Sequence, residues 1–122
     1  MIVQRNSSIK RSQVWLVAPD PTVGAEIQKT RPCVVVSHDL IGTLSVRVVV
    51  PITEWQERFA GKVWLVRLIP DRRNGLTKDC AADALQVRCV SEDRFMRLLG
   101  VLSTDDMSDI SAALAIVLDI SS

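Results

Sequence analysis

The side chains able to do chemistry are few. The 122 residues hold one histidine, His38, so no two histidines of one chain can divide acid and base work. No glycine loop runs into Lys and Ser or Thr to cradle a phosphate, and neither HExxH nor GxSxG occurs. Cys33, Cys80 and Cys89 are an odd set with no CxxC pair, each in an apolar run that suits a buried thiol. Their spacing, with or without His38, matches no zinc framework, so no metal, disulfide or cofactor is expected. No acidic pair sits at an apolar strand end. Chemistry must lean on Arg, Thr, Ser or a single carboxylate.

The informative geometry is a hairpin. Residues 32–37 and 45–53 are β-branched runs separated by a turn region centred on Gly42. Folding about that glycine brings together positions equidistant from it. Arg31 stands eleven residues before Gly42 and Thr53 eleven after, so a permanent cation and a hydroxyl should meet at the open end. The 20–30 loop, with Glu26, Gln28 and Lys29, approaches from the Arg31 side. Such a site suits metal-free cleavage of RNA, whose 2′-OH is its own nucleophile. Arg31 would stabilise charge developing on phosphorus, and Thr53 would orient a phosphate oxygen or the 2′-OH. Glu26 and His38 are both open as general base. Taken singly, Arg31 equally reads as a surface arginine capping a loop, and Thr53 as a β-former ending a strand.

The elements that must position these residues are short. Residues 1–12 read as a loose arm, and 14–17 as a strand stopped by Pro19 and Pro21. Residues 54–62 form a charged loop carrying Trp55, 63–69 a fourth strand, and 70–78 a basic loop with the turn signal Asn74-Gly75. Through 80–90 the alternation sends Leu85, Val87 and Cys89 one way and Gln86 and Arg88 the other, with Gln86 aimed near the groove. Residues 91–102 fit helix or strand. Ser103 or Thr104 caps a helix to 118, with Asp105 and Asp106 at its positive end and an apolar stripe of Met107, Ile110, Leu114, Val117 and Leu118. Short strands plus a terminal helix predict one domain over 1–122: a mainly β, strongly curved antiparallel barrel with a helix packed on it.

Composition narrows the function classes. With 48% hydrophobic and 24% charged residues, the chain should fold as a globule. Its longest unbroken apolar stretch, 112–118, falls far short of the roughly 20 residues of a membrane span. Arg5 and Lys10 flank a polar stretch, not the apolar core of a secretory signal, so the expected location is cytoplasmic. Net charge is +1, but residues 1–100 hold all 15 Lys and Arg against ten acids, whereas 101–122 hold four acids and no base. The basic part suits an anionic partner. Trp15 and Trp64 read as core, Trp55 as a platform for a base or partner, and Arg72 and Arg73 as solvated charges.

The run Pro21-Thr22-Val23-Gly24-Ala25-Glu26-Ile27-Gln28-Lys29-Thr30-Arg31-Pro32 and the following strand resemble the signature of the MazF/PemK family of toxin endoribonucleases. Val50-Pro51-Ile52-Thr53 is similar to the family's strand ending in threonine. Gly75-Leu76, Lys78-Asp79, Gln86-Val87-Arg88 and Leu99-Gly100 are similar to its C-terminal half. The resemblance spans about Lys10 to Leu118. It implies an SH3-like barrel of the CcdB/MazF type, working as a homodimer without metal. It also implies sequence-specific cleavage of single-stranded mRNA to 2′,3′-cyclic phosphate and 5′-OH ends. Arg31 and Thr53 match the family's catalytic positions; Glu26, Gln28, Lys29, Trp55 and Gln86 are candidate substrate contacts. A cognate MazE-like antitoxin with an acidic disordered tail is implied, with operator DNA a partner only of the toxin–antitoxin complex. Arg11-Ser12-Gln13 departs from the family's Arg-Gly-acid before the first strand, and Ala18-Pro19-Asp20-Pro21 from its usual turn. The alternatives are a non-catalytic barrel of the gyrase-inhibitor type, an SH3-like interaction module (disfavoured by the absence of Tyr and only two Phe), and a DNA-binding regulator, for which no basic recognition helix is offered.

Overall fold

A computed structural model describes residues 9–19 and 29–121. Seven strands are present: β1 (Gln13–Val17), β2 (Arg31–Val35), β3 (Val46–Glu54), β4 (Leu65–Leu68), β5 (Cys80–Asp83), β6 (Arg88–Ser91) and β7 (Phe95–Val101). One helix, α1 (Thr104–Val117), closes the order. The strand pairings among the described residues are antiparallel, in the path β4-β5-β3-β2-β1-β7, with β6 also on β3. The ends of the path, β4 and β7, are not bonded to each other, so the barrel is open. The antiparallel β-fold with a terminal helix is the one expected from sequence.

The nine-residue strand β3 is the spine. One edge carries β2, and the other carries β6 along its first half and β5 along its second. Both faces are covered. Val14, Val34, Val50, Ile52, Leu68 and Ala82 pack with Leu102, Met107 and Ile110 in one core. Trp15, Val17, Cys33, Val35, Val49 and Val90 form a second on the opposite face, with Ile9 and Phe95. Burial on both faces explains why residues 46–53 are Val-rich instead of alternating.

Two expectations are corrected and one open assignment is decided. Residues 80–90 are not one strand: a 3₁₀ turn at Ala84–Gln86 separates β5 from β6. Asp83 initiates it, its carboxylate accepting from Leu85 N at 3.1 Å. Leu85 and Cys89 are therefore exposed and do not share an inward face. Pairing along β3 shifts by three residues across the turn, from Ile52↔Ala82 to Val49↔Arg88. The helix stripe ends before Leu118: Met107 and Ile110 are buried and Leu114 packs partly buried against the core, whereas Leu118 is 54% exposed. Residues 95–101, ambiguous in sequence, form β7 along β1. Ser103 does cap α1, its hydroxyl accepting from Asp106 N at 3.1 Å.

Two loops are held by buried polar groups. Arg47, 2% exposed, donates to Leu44 O and Val46 O at 3.0 and 2.8 Å. Both bonds come from Nη1, and Nη2 meets Glu92 Oε2 as an ion pair at 2.9 Å, tying the hairpin tip to the β6–β7 turn. Fully buried Asn74 donates to Ile69 O at 2.9 Å and accepts from Asp71 N and Leu76 N at 3.2 and 3.0 Å. Gly75 has φ +71°, and a Cβ there would overlap the Leu99 carbonyl, so the Asn-Gly turn packs backbone to backbone on β7.

The departure at residue 12 has a backbone consequence. Ser12 has φ +78°, with its N–H and carbonyl bonded to Val35 O and Leu102 N, both at 2.9 Å. The chain keeps a left-handed turn where it lacks the glycine that turn favours. Gln13 stands in for the acid: its side-chain oxygen accepts from Lys10 N and Trp15 Nε1 at 2.8 and 2.9 Å. Ser12→Gly should stabilise the fold by about 0.5–1 kcal/mol, raising Tm by roughly 2–4 °C in a thermal melt.

Cys33 supplies a pH-dependent test. Burial pushes its thiol from 9.0 up to about 11, opposed by the charges of Arg88, Arg94 and Arg31. The unfolded thiol ionises first as pH rises, so this contribution is complete below pH 9 and is lost between pH 9 and about 11. The total is about 3 kcal/mol. Urea unfolding at pH 8 and 10.5 should show about 2 kcal/mol of that loss, and Cys33→Ala should flatten it.

Candidate active site

β2 and β3 pair as Cys33↔Pro51, Val34↔Val50 and Val35↔Val49. Continued by two residues, this register sets Arg31 opposite Thr53, the arrangement predicted from folding about Gly42. β5 extends the rung with Thr53↔Ala81, β4 with Arg67↔Ala81, and β1 with Val17↔Arg31. The hairpin tip folds as a 3₁₀ helix, Asp39–Thr43, with His38 as its cap.

A cleft of about 300 Å³ opens at this end of the hairpin. Lys29, Thr30, Arg31 and Pro32 line it from β2 and the residues before it, Ile52, Thr53 and Glu54 from β3, and Lys78 and Cys80 from the start of β5. Successive strand residues face opposite sides, so a cleft touching both Thr53 and Glu54 reaches both faces of the sheet at its end. Three cations and one carboxylate line it, a balance that suits an anionic ligand. Lys78 Nζ lies 3.1 Å from Glu54 Oε2, and both side chains are 62% exposed. An ion pair so open contributes about 0–1 kcal/mol and can be parted by a ligand. Burial pushes the Cys80 thiol up, with Lys78 opposing and Glu54 and Asp79 reinforcing. Its Sγ lies 3.2 Å from Lys78 O. Cys80 is a protonated wall, not a nucleophile.

Beside the cleft, Trp55 is half-buried in a ladder of rings and cations. Arg67 lies 4.8 Å over its ring and bonds Asp79 Oδ2 through Nε and Nη2 at 3.2 and 2.7 Å. Phe59 meets Trp55 edge-on at 5.8 Å, and Arg58 lies 5.4 Å over Phe59. The Trp55 backbone N–H donates to Asp79 O at 3.0 Å, and its buried Nε1 has no partner among the described residues.

Of the residues nominated from sequence, Lys29, Arg31 and Thr53 share the cleft. Trp55 follows on the same strand end. Gln86 does not line the cleft; it sits in the turn between β5 and β6 and donates to Asp83 Oδ2 at 2.8 Å. Glu26 and Gln28 lie outside the described residues. His38 is removed as a base for Arg31 of its own chain. It stands at the opposite end of the hairpin, about 20 Å away along an extended strand, where Nδ1 accepts from Leu40 N at 3.0 Å. Trp15 is core, as expected, in T-shaped contact with Phe95 at 5.8 Å. The nomination missed Thr30, Glu54, Lys78 and Cys80. Thr30 and Glu54, next to Arg31 and Thr53, had a local signal; Lys78 and Cys80 are brought in by the pairing of β5 with β3.

Residues 10–118 match the family described as PemK-like, MazF-like toxin of type II toxin-antitoxin system. The chain belongs to the PemK/MazF toxin family. A relative, endoribonuclease MazF9 of Mycobacterium tuberculosis (strain ATCC 25618 / H37Rv), is 32% identical over 119 residues, covering 92% of this chain and 98% of its own length. Endoribonuclease PemK of Escherichia coli is 42% identical over 53 residues, covering 43% of this chain and 40% of its own. Among solved structures, an endoribonuclease from Mycobacterial species superposes with TM-score 0.75 at 21% identity, covering 98% of this chain and 99% of that one. A MazE–MazF complex from Deinococcus radiodurans gives TM-score 0.73 at 20% identity, covering 92% and 96%. These establish that the PemK/MazF fold is present over nearly the whole chain.

The ladder beside the cleft is open to test. Arg67→Ala removes both the contact over Trp55 and the Asp79 bonds, and should cost about 1 kcal/mol. Thermal unfolding measures that loss, and tryptophan emission should shift to the red as Trp55 becomes wetter.

Proposed function

We propose that the protein is a PemK/MazF-type endoribonuclease toxin that cleaves single-stranded mRNA at particular sequences without a metal ion. The observation carrying this is the register that sets Arg31 opposite Thr53 at the mouth of a cationic cleft. The curated relative covering most of the chain is named an endoribonuclease. The substrate's 2′-OH attacks its adjacent phosphorus, and P–O5′ breaks, leaving a 2′,3′-cyclic phosphate and a 5′-OH. Arg31 donates to the non-bridging oxygens as charge builds on them, in a fork geometry suited to phosphate. Thr53 orients a phosphate oxygen or the 2′-OH. Lys29 adds a phosphate contact, Glu26 and Gln28 are further substrate contacts, and Trp55 presents a ring edge to a flanking base. Gln86 acts at one remove, through Asp83.

The protein is further proposed to act in the cytoplasm as a homodimer under control of a MazE-like antitoxin. Structural neighbours include toxins solved with their antitoxins. Met96 and Leu98 on edge strand β7, and Ile116, Leu118 and Ile120 at the end of α1, leave apolar surface that supports a second copy. No helix among the described residues is long and apolar enough to cross a membrane.

Incubation of the purified protein with long single-stranded RNA in EDTA should give cyclic-phosphate ends. Arg31→Ala or Thr53→Val should slow cleavage by about 10²–10³-fold, the range for losing one charge-stabilising donor. Growth inhibition without cleavage of any RNA would instead support the gyrase-inhibitor alternative.

A further inference from the structure

Transfer of phosphorus from O5′ to O2′ needs a group to accept the 2′-OH proton and another to supply a proton to the departing O5′. Arg31 can do neither, since a guanidinium does not release its proton in the working pH range. Thr53 is too weakly basic, and Cys80 is a buried thiol held in its protonated form. Among the described residues, the lining of the cleft offers one carboxylate, Glu54, and the ammonium it touches, Lys78.

Placement favours this pair. Glu54 follows Thr53 on β3, about 3.3 Å along the strand from the Arg31–Thr53 rung, and enters the cleft from the opposite face at the end of the sheet. Glu54 pairs with Cys80 on β5, and Lys78 lies two residues before that cysteine. The groups contact at 3.1 Å while each remains 62% exposed, so a substrate can enter between them without breaking into the core. The charged and titratable neighbours are Lys29 and Arg31 on the β2 side, and Asp79 and Cys80 on the β5 side. Asp79 is engaged by Arg67 at 2.7 Å and does not line the cleft, whereas Glu54 lines it with Lys78 as its partner.

Resting on the ribonuclease reading above, we infer that Glu54 and Lys78 form the acid–base couple of this cleft. Glu54 takes the 2′-OH proton as the O2′–P bond forms. The P–O5′ bond breaks with its electron pair on O5′, which takes a proton from Lys78. The proton on Glu54 then passes to the neutral Lys78 amine across their contact. The couple is restored, and the net transfer is one proton from O2′ to O5′.

Kinetics separates this role from that of a bystander ion pair. Removing a bystander carboxylate would free Lys78 for phosphate, so Glu54→Gln would lower KM and leave kcat alone. As the base, Glu54→Gln lowers kcat by about 10²–10⁴-fold, with KM unchanged or reduced, and abolishes the acid limb of the pH–rate profile. Lys78→Met should slow ordinary RNA by about 10²-fold. It should be nearly normal on an oligonucleotide whose scissile 5′-oxygen is sulfur, a leaving group that needs no proton. Circular dichroism and thermal melts of both variants, each changed at an exposed position, establish that they are folded. Wild-type kcat and an intact acid limb in Glu54→Gln, or an equal Lys78→Met defect on both substrates, would overturn the couple while leaving the ribonuclease reading standing. Failure of the wild type to cut any RNA would instead remove that reading.

Discussion

The register of β3 is the constraint on which the rest depends. This strand carries neighbours on both edges and a hydrophobic core on both faces, so each residue has a fixed inside and outside. A slip of one residue against β2 would turn Val50 and Ile52 out of one core and Val49 out of the other. It would also send Arg31 and Thr53 to opposite faces. The same packing that stabilises the fold therefore sets the pairing at the cleft.

Around that spine the sequence divides its labour. Apolar β-branched residues fix the strands, while a few buried polar groups fix the connections: Arg47 with Glu92 at the hairpin tip, and Asn74 under the turn before β5. Breaking either leaves a buried donor or charge without a partner, which costs more than an intact interaction contributes. The cleft differs. Its charged side chains are largely open, held in place by strand ends and not by burial, as suits groups that must exchange neighbours with a ligand.

The hairpin was legible because its signals are local: two β-branched runs, a central glycine, and equal arms to Arg31 and Thr53. The cap and acidic first turn of α1 were legible for the same reason. Residues 80–90 were misleading because an alternating pattern there coincides with a 3₁₀ turn, and Asp83 bonding Leu85 N outweighs the apparent period. Cys80 and Lys78 reach the cleft only through pairing of β5 with β3, a contact between distant segments. The β5 segment Cys-Ala-Ala-Asp carries little strand signal of its own. The burial of Arg47 was invisible because it depends on Glu92, far along the chain.

The two ends of the β2–β3 hairpin face different worlds. The cleft gathers residues from three strands, so a change there is felt across the rung. The tip, with Leu40 81% exposed and His38 serving only to start a short helical turn, is remote from it. Members of a lineage sharing this scaffold are thus free to diverge at the tip, acquiring new surfaces or lengths, without renegotiating their chemistry.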